Sequence, residues 1–226
     1  MVWTSSSDFG QFKVSNNDVT EILKLAGINN TNSYTRTKGG KDGVVLTNKK
    51  SLVKITSNNL TRPGSINNEL KFMTTASKLN IAPKLHFGKI LTFKNKRYLV
   101  MKSEKMNGDI RSISLTKNNF QKIKSLVNNL HNRAEITHNN LHHGQVVYKN
   151  NPNGSRNFRL INFGRSKSWN MNPGSLYKDL NGLTKIQRSI SKEMSPTSPL
   201  RGLNSLKRKS AFGSSETPPP RGRLFF

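Results

Sequence analysis

The sequence predicts an α+β protein of two lobes, the second of them truncated, followed by a basic tail. Three observations predict it. Short runs of β-branched and aromatic residues are interspersed with segments whose apolar residues recur at helical spacing. Their order is strands, one helix, more strands, then helices and a hairpin, so the two element types are segregated rather than strictly alternating. From Ser191 the chain reads SKEMSPTSPLRGLNSLKRKSAFGSSETPPPRGRLFF, rich in Ser, Pro and Arg and too poor in apolar residues to form a core. The expected divisions are an extension with a short helix over 1–37, a first lobe over 38–104, a reduced second lobe over 105–190, and a disordered tail over 191–226.

Each element has a local reason. Val19, Ile22, Leu23 and Leu25 lie at helical spacing over Asn17 to Leu25, and Gly27 can end that helix. NNTNSYTRTKGGKDG follows as a polar loop holding Gly39, Gly40 and Gly43. GVVLTNKKSLVKIT reads as two strands about a turn at Thr47 to Lys50. A helix is expected over Ile66 to Leu79 with Ser65 or Asn67 as its cap, and Pro83 bars its continuation. KLHFGKILTF and KRYLVMK are strand-like and meet at Lys94 to Lys96. Thr116 caps a helix reaching Asn132, with Phe120, Ile123, Leu126, Val127 and Leu130 on one face. Val146 to Tyr148 and Phe158 to Ile161 form a hairpin over NNPNGS, and a last helix runs from Leu176 to Ile190.

Composition narrows the function classes. The 226 residues contain no cysteine, which excludes disulfides and thiolate metal sites and makes a reducing, intracellular setting the default. No apolar run approaches the ~18 residues needed to span a bilayer, and MVWTSSSDFGQ lacks the features of a signal peptide, so no membrane partner is expected. Lys and Arg number 38 against 11 Asp and Glu, a net charge of +27. The tail contributes Lys192, Arg201, Lys207, Arg208, Lys209, Arg221 and Arg223 against Glu193 and Glu216, so most of the excess belongs to the first 190 residues. A body this basic attracts polyanions, nucleic acid or acidic protein.

Four features carry chemistry. VKI places Lys54 late in the second strand, after a glycine-bearing loop. NNELKFM places Glu69 near the start of the following helix. HNNLHHGQ (138–145) and LINFGRSK (160–167) then follow, separated by the hairpin. Taken together they resemble the protein-kinase-like superfamily over about Lys38 to Ser168, with YLVMKSEKMNGDI similar to the hinge strand and the segment leaving it. The resemblance implies a two-lobed minimal kinase-like fold with a truncated C-terminal lobe. It also implies roles. Lys54, paired with Glu69, would hold ATP phosphates under the loop of Gly39, Gly40 and Gly43. His138 opens the catalytic loop. Asn140 stands where the family has its catalytic aspartate, Gln145 where it has a metal-binding asparagine, and Asn162 where it has the metal-binding aspartate.

The departures share one chemistry. An amide occupies all three positions, and an amide is neither a general base near pH 7 nor a good ligand for Mg²⁺, which is usually held by carboxylates. ATP binding with weak or absent Mg²⁺ is therefore expected, with phosphotransfer impaired. GGKDG also lacks the full Gly-rich pattern, and no A-P-E motif follows Gly164. The shortness resembles minimal kinases, such as that of the tRNA-threonylcarbamoylation complex, and short kinase-like proteins of large DNA viruses. His138, His142 and His143 suggest a zinc cluster only superficially, because Glu135 is the one acid nearby. Phe163 is expected in the core.

Three functions stay open on this reading. The first is a pseudokinase that works as a basic binding or scaffold protein. The second is an active atypical Ser/Thr protein kinase. The third is a nucleic-acid-associated or virion structural protein on a kinase-like scaffold. In the tail, Ser195, Ser198 and Thr217 precede prolines, LKRKS is a weak nuclear signal, and the terminal RLFF offers an apolar anchor for a protein partner.

Overall fold

The computed structural model describes residues 14–37, 43–57, 65–169 and 174–194. Gly39, Gly40 and the tail from Ser195 lie outside them. The described residues form a mixed α+β structure whose sheets are antiparallel, and they belong to one compact unit.

Helix α1 (Asn16–Leu25) starts where the Ser15 hydroxyl accepts from the Asp18 N–H, and Asp18 also suits the positive N-terminal end of the helix dipole. It ends at Leu25, two residues before Gly27, whose φ of +87° is cheap only for glycine. Strand β1 (Thr35–Thr37) was expected as loop. It is a three-residue edge strand without apolar alternation, defined by its pairing with β2 (Gly43–Thr47) rather than by its own sequence. Strands β3 (Ser51–Ser57), β4 (Leu85–Phe93) and β5 (Lys96–Glu104) complete a sheet of order β1-β2-β3-β5-β4. β4 and β5 are joined through Lys94 and Asn95, both at positive φ, as a two-residue hairpin turn requires.

This sheet is covered on both faces, and the period of two sorts its side chains. Val53, Ile55, Tyr98 and Val100 pack with Val19, Ile22 and Leu23 of α1. Burying each of those aliphatic side chains is worth about 1.5–3 kcal/mol, which holds the short α1 in place. On the other face Leu99 and Met101 join Ile66, Phe72, Met73 and Ala76 of α2 (Ser65–Lys78). Because α2 begins at Ser65, both Ser65 and Asn67 lie inside the helix rather than at its cap.

The same core continues into α3 (Lys117–Asn132), capped by Thr116, and α4 (Ser175–Met194), which starts one residue before and ends four residues after the expected helix. β6 (Gly108–Asp109) precedes α3, and between α3 and α4 lie β7 (Ile136–Thr137), β8 (Val146–Asn150), β9 (Arg156–Leu160) and β10 (Lys167–Ser168). β6, β8 and β9 form one small sheet, β7 and β10 another. The expected hairpin is β8–β9. Among the described residues no helix is long and apolar enough to cross a membrane.

Candidate functional site

A cavity of about 460 Å³ opens between β2–β3, α2 and the loops around residues 140–145 and 161–165. Lys54 enters it from β3. Its neighbours Val53 and Ile55 face the α1 side, so alternation alone sends Lys54 to the opposite face. Its Nζ donates to Glu69 Oε1 at 2.5 Å and to Asn162 Oδ1 at 2.6 Å. Glu69 is on the core-facing side of α2 and its side chain is only 9 % exposed, against 22 % for Lys54. A pair this enclosed is screened far less than a surface ion pair.

Asn162 sits in the left-handed region, at φ 65° and ψ 62°, which asparagine tolerates better than most residues. That conformation turns its amide toward Gln145, and Nδ2 donates to Gln145 Oε1 at 2.6 Å. Gln145 Nε2 in turn lies 3.0 Å from His142 Nε2, and the Gly144 N–H donates to His142 Nδ1 at 3.1 Å. Asn140 lines the cavity and its Oδ1 accepts from Arg165 at 3.4 Å. The structure thus gathers Lys54, Glu69, Asn140, Gln145 and Asn162 around one space. Gly43 also lines it, but as the first residue of β2 rather than in a loop: a Cβ there would lie 2.4 Å from Ile55 O.

His138 is placed differently. It is fully buried against Phe163, ring centroids 5.3 Å apart, and its Nε2 donates to Ile161 O at 2.8 Å. It is a core residue that ties the 138–145 loop to the 161–165 loop. His143 bonds to Ser189 at 2.9 Å, so the three histidines diverge. Among the described residues no group of three His, Asp or Glu is placed to hold a metal ion.

Among the described residues, the carboxylates lining the cavity are all engaged. Glu69 is held by Lys54. Asp109 takes a two-pronged contact from Arg111 (2.9 and 2.6 Å), which, against a smaller effect of burial, lowers its pKa. Burial alone would raise the pKa of Glu104, but hydrogen bonds from Lys149 and the Lys84 N–H bring it below the ordinary value. Among the described residues no carboxylate lining the cavity is free of a cationic partner, and the amides at the two expected metal positions, Gln145 and Asn162, are bonded to each other. The donor set does not fit Mg²⁺. It does fit anionic oxygen: the Lys54 ammonium enters the cavity, and Thr56, a buried residue that lines it, has a hydroxyl without a partner.

The residue that sequence reasoning missed is Asp179. It is fully buried on α4, where Oδ2 accepts from the His138 N–H (2.7 Å) and Oδ1 from the Asn139 N–H (2.8 Å), while His131 Nε2 lies 2.9 Å from Oδ2. The signal was present, because Asp179 falls in line with Leu183, Ile186 and Ile190 on the apolar face of the helix. One turn on, Gly182 packs against the same loop so closely that a Cβ would stand 2.5 Å from Leu141 O.

One buried imidazole, with a smaller contribution from an exposed one, sets a pH dependence. Burial lowers the pKa of His138, and protonating its partnerless Nδ1 would strand an N–H in the core. Burial, then the charge of Arg111, lowers that of His142. Unfolded histidines protonate near pH 6.5, so below that pH the unfolded chain binds more protons and stability falls. The expected slope approaches about 1.4 kcal/mol per pH unit for the buried His138, and the exposed, solvent-screened His142 adds little to it. Urea unfolding at pH 7.5 and 5.5 checks this, and His138→Gln should lose less across the interval than the parent chain. A parent profile that is flat from 7.5 to 5.5 would contradict it.

No family model matches the chain, and no curated protein matches it in sequence.

Proposed function

We propose that the chain is a kinase-like protein with a degenerate site, a pseudokinase that acts by binding rather than by phosphotransfer. One observation carries this reading: the Lys54 ammonium is shared between Glu69 and an amide, Asn162, while among the described residues every carboxylate lining the cavity is already paired with a cation. The five-stranded sheet with α2 on one side of the cavity, and the β8–β9 hairpin with α3 and α4 on the other, support a two-lobed kinase-like arrangement with a reduced second lobe. The retained lysine supports binding of ATP phosphates. Loss of metal carboxylates removes the main neutraliser of charge in the transition state. The basic body serves as the contact surface for a polyanion, nucleic acid or acidic protein, and the tail as a tether to a protein partner, in a nuclear or virion setting.

The test is incubation with labelled ATP and Mg²⁺ or Mn²⁺. The expected result is a rise in thermal stability with nucleotide but no label transfer, and loss of that rise in Lys54→Ala. Transfer that depends on Lys54 would overturn the proposal in favour of an active kinase. The net charge of +27 favours a second reading, a nucleic-acid-associated protein on this scaffold. Affinity for DNA or RNA that falls steeply with salt, with no response to ATP, would select it.

A further inference from the structure

The polar row that runs from Lys54 to Gly144 cannot satisfy itself. Its ends are the Lys54 ammonium and the Gly144 N–H, and both can only donate. Between them stand Asn162, Gln145 and His142, each presenting one donor and one acceptor when the imidazole is neutral. Begin at Lys54. It donates to Asn162 Oδ1, Asn162 Nδ2 donates to Gln145 Oε1, and Gln145 Nε2 must then donate to His142 Nε2. The imidazole hydrogen is thereby forced onto Nδ1, where the Gly144 N–H points at it from 3.1 Å. Put the hydrogen on Nε2 instead, and it meets the Gln145 amide hydrogens at 3.0 Å. Reversing an amide only moves the clash along the row. Three two-faced groups between two donors always leave one link with a hydrogen on both sides.

We infer that this row is a metal-free binding site for a phosphate group, which repairs the mismatch by seating an oxygen between Lys54 Nζ and Asn162 Nδ2. An anionic oxygen accepts from both. Asn162 Oδ1 is then free to accept from Gln145 Nε2, Gln145 Oε1 accepts from His142 Nε2–H, and His142 Nδ1 accepts from the Gly144 N–H. Every link is made. A divalent cation does the opposite: at Asn162 Oδ1 it merely replaces Lys54 and leaves the clash at His142 in place. Two further observations select an anion. Thr56 lines the same cavity, and its buried hydroxyl has no partner. Glu69, Glu104 and Asp109, which also line it, are each paired with Lys or Arg. The inference rests on the reading of this cavity as a phosphate-binding cleft and adds the ligand's charge state and the device that senses it.

Asn162→Asp isolates the row from the rest of the fold. A carboxylate accepts at both oxygens, from Lys54 and from Gln145, so the row is satisfied with no ligand. The experiment uses the full chain in EDTA, with calorimetric titration of tripolyphosphate, ATP and adenosine, and long-range ¹H–¹⁵N spectra of the imidazoles. The His142 signals are assigned by their loss in His142→Asn. In the parent chain tripolyphosphate and ATP should bind without metal, and binding should move His142 to the form protonated at Nε2. Asn162→Asp should show that form before any addition and bind tripolyphosphate at least tenfold more weakly in EDTA. ATP binding that requires Mg²⁺ overturns the inference while leaving the nucleotide cleft intact. So does a His142 spectrum that ignores tripolyphosphate. Tripolyphosphate binding as tightly as ATP, with His142 responding, supports the inference and removes the nucleotide from the proposed function.

Discussion

Asp179→Ala should cost about 3–5 kcal/mol of folding stability, as expected when a buried charge loses its partners or buried donors lose theirs. The carboxylate satisfies two backbone N–H groups, of His138 and Asn139, and contacts His131, all within 2.9 Å. Truncation leaves the two amides without a partner and opens a void beside Gly182. A domain of this kind is stable by only about 5–15 kcal/mol in total, so a large share would be lost. Asp179→Asn keeps the shape, but its NH₂ must face a donor at one of the two oxygen positions, so it should recover less than half of the loss. Urea unfolding followed by circular dichroism measures both. A cost below about 1 kcal/mol for Asp179→Ala would show that the loop is held by packing alone.

Asn140→Asp combined with Asn162→Asp should make nucleotide binding depend on metal. Two carboxylates would then face the cavity beside Gln145, in the company a hard cation prefers. On adding Mg²⁺, affinity for ATP should rise on the order of tenfold, which is about 1.4 kcal/mol, whereas the parent chain should show no such rise. In EDTA the added negative charge should weaken ATP binding. Thermal shift and calorimetry with and without Mg²⁺ read both effects. If the double variant binds ATP equally with and without Mg²⁺, the amides are not what excludes the ion.

Much of the fold was legible because it is locally encoded. The apolar spacing of α1, α3 and α4 and the turn at Lys94–Asn95 are properties of short windows. What was missed depends on distant partners. Thr35–Thr37 carries no strand pattern and becomes one only beside Val45 to Thr47. Glu69 and Lys54 were paired on the strength of the kinase-like resemblance, yet that Lys54 also meets Asn162, 108 residues away, follows only from the packed fold. The amides of Asn140, Gln145 and Asn162 were identified as departures in charge. Their hydrogen-bond directions were not legible, since an amide's orientation is set by neighbours that the chain brings together late. Asp179 was legible in principle as an acid on an apolar helix face, but three accepted contacts cannot be read from one position.

The reach of α4 back to the loop at 138–145 has a consequence for biosynthesis. Residues 138 and 139 leave the ribosome some 40 residues before Asp179 does. Throughout that interval their amides have only water to bond with, and the nascent chain carries an unset loop and an uncovered face of α3. A pause in translation ahead of the α4 codons would prolong exposure of that surface, whereas one placed after them would not.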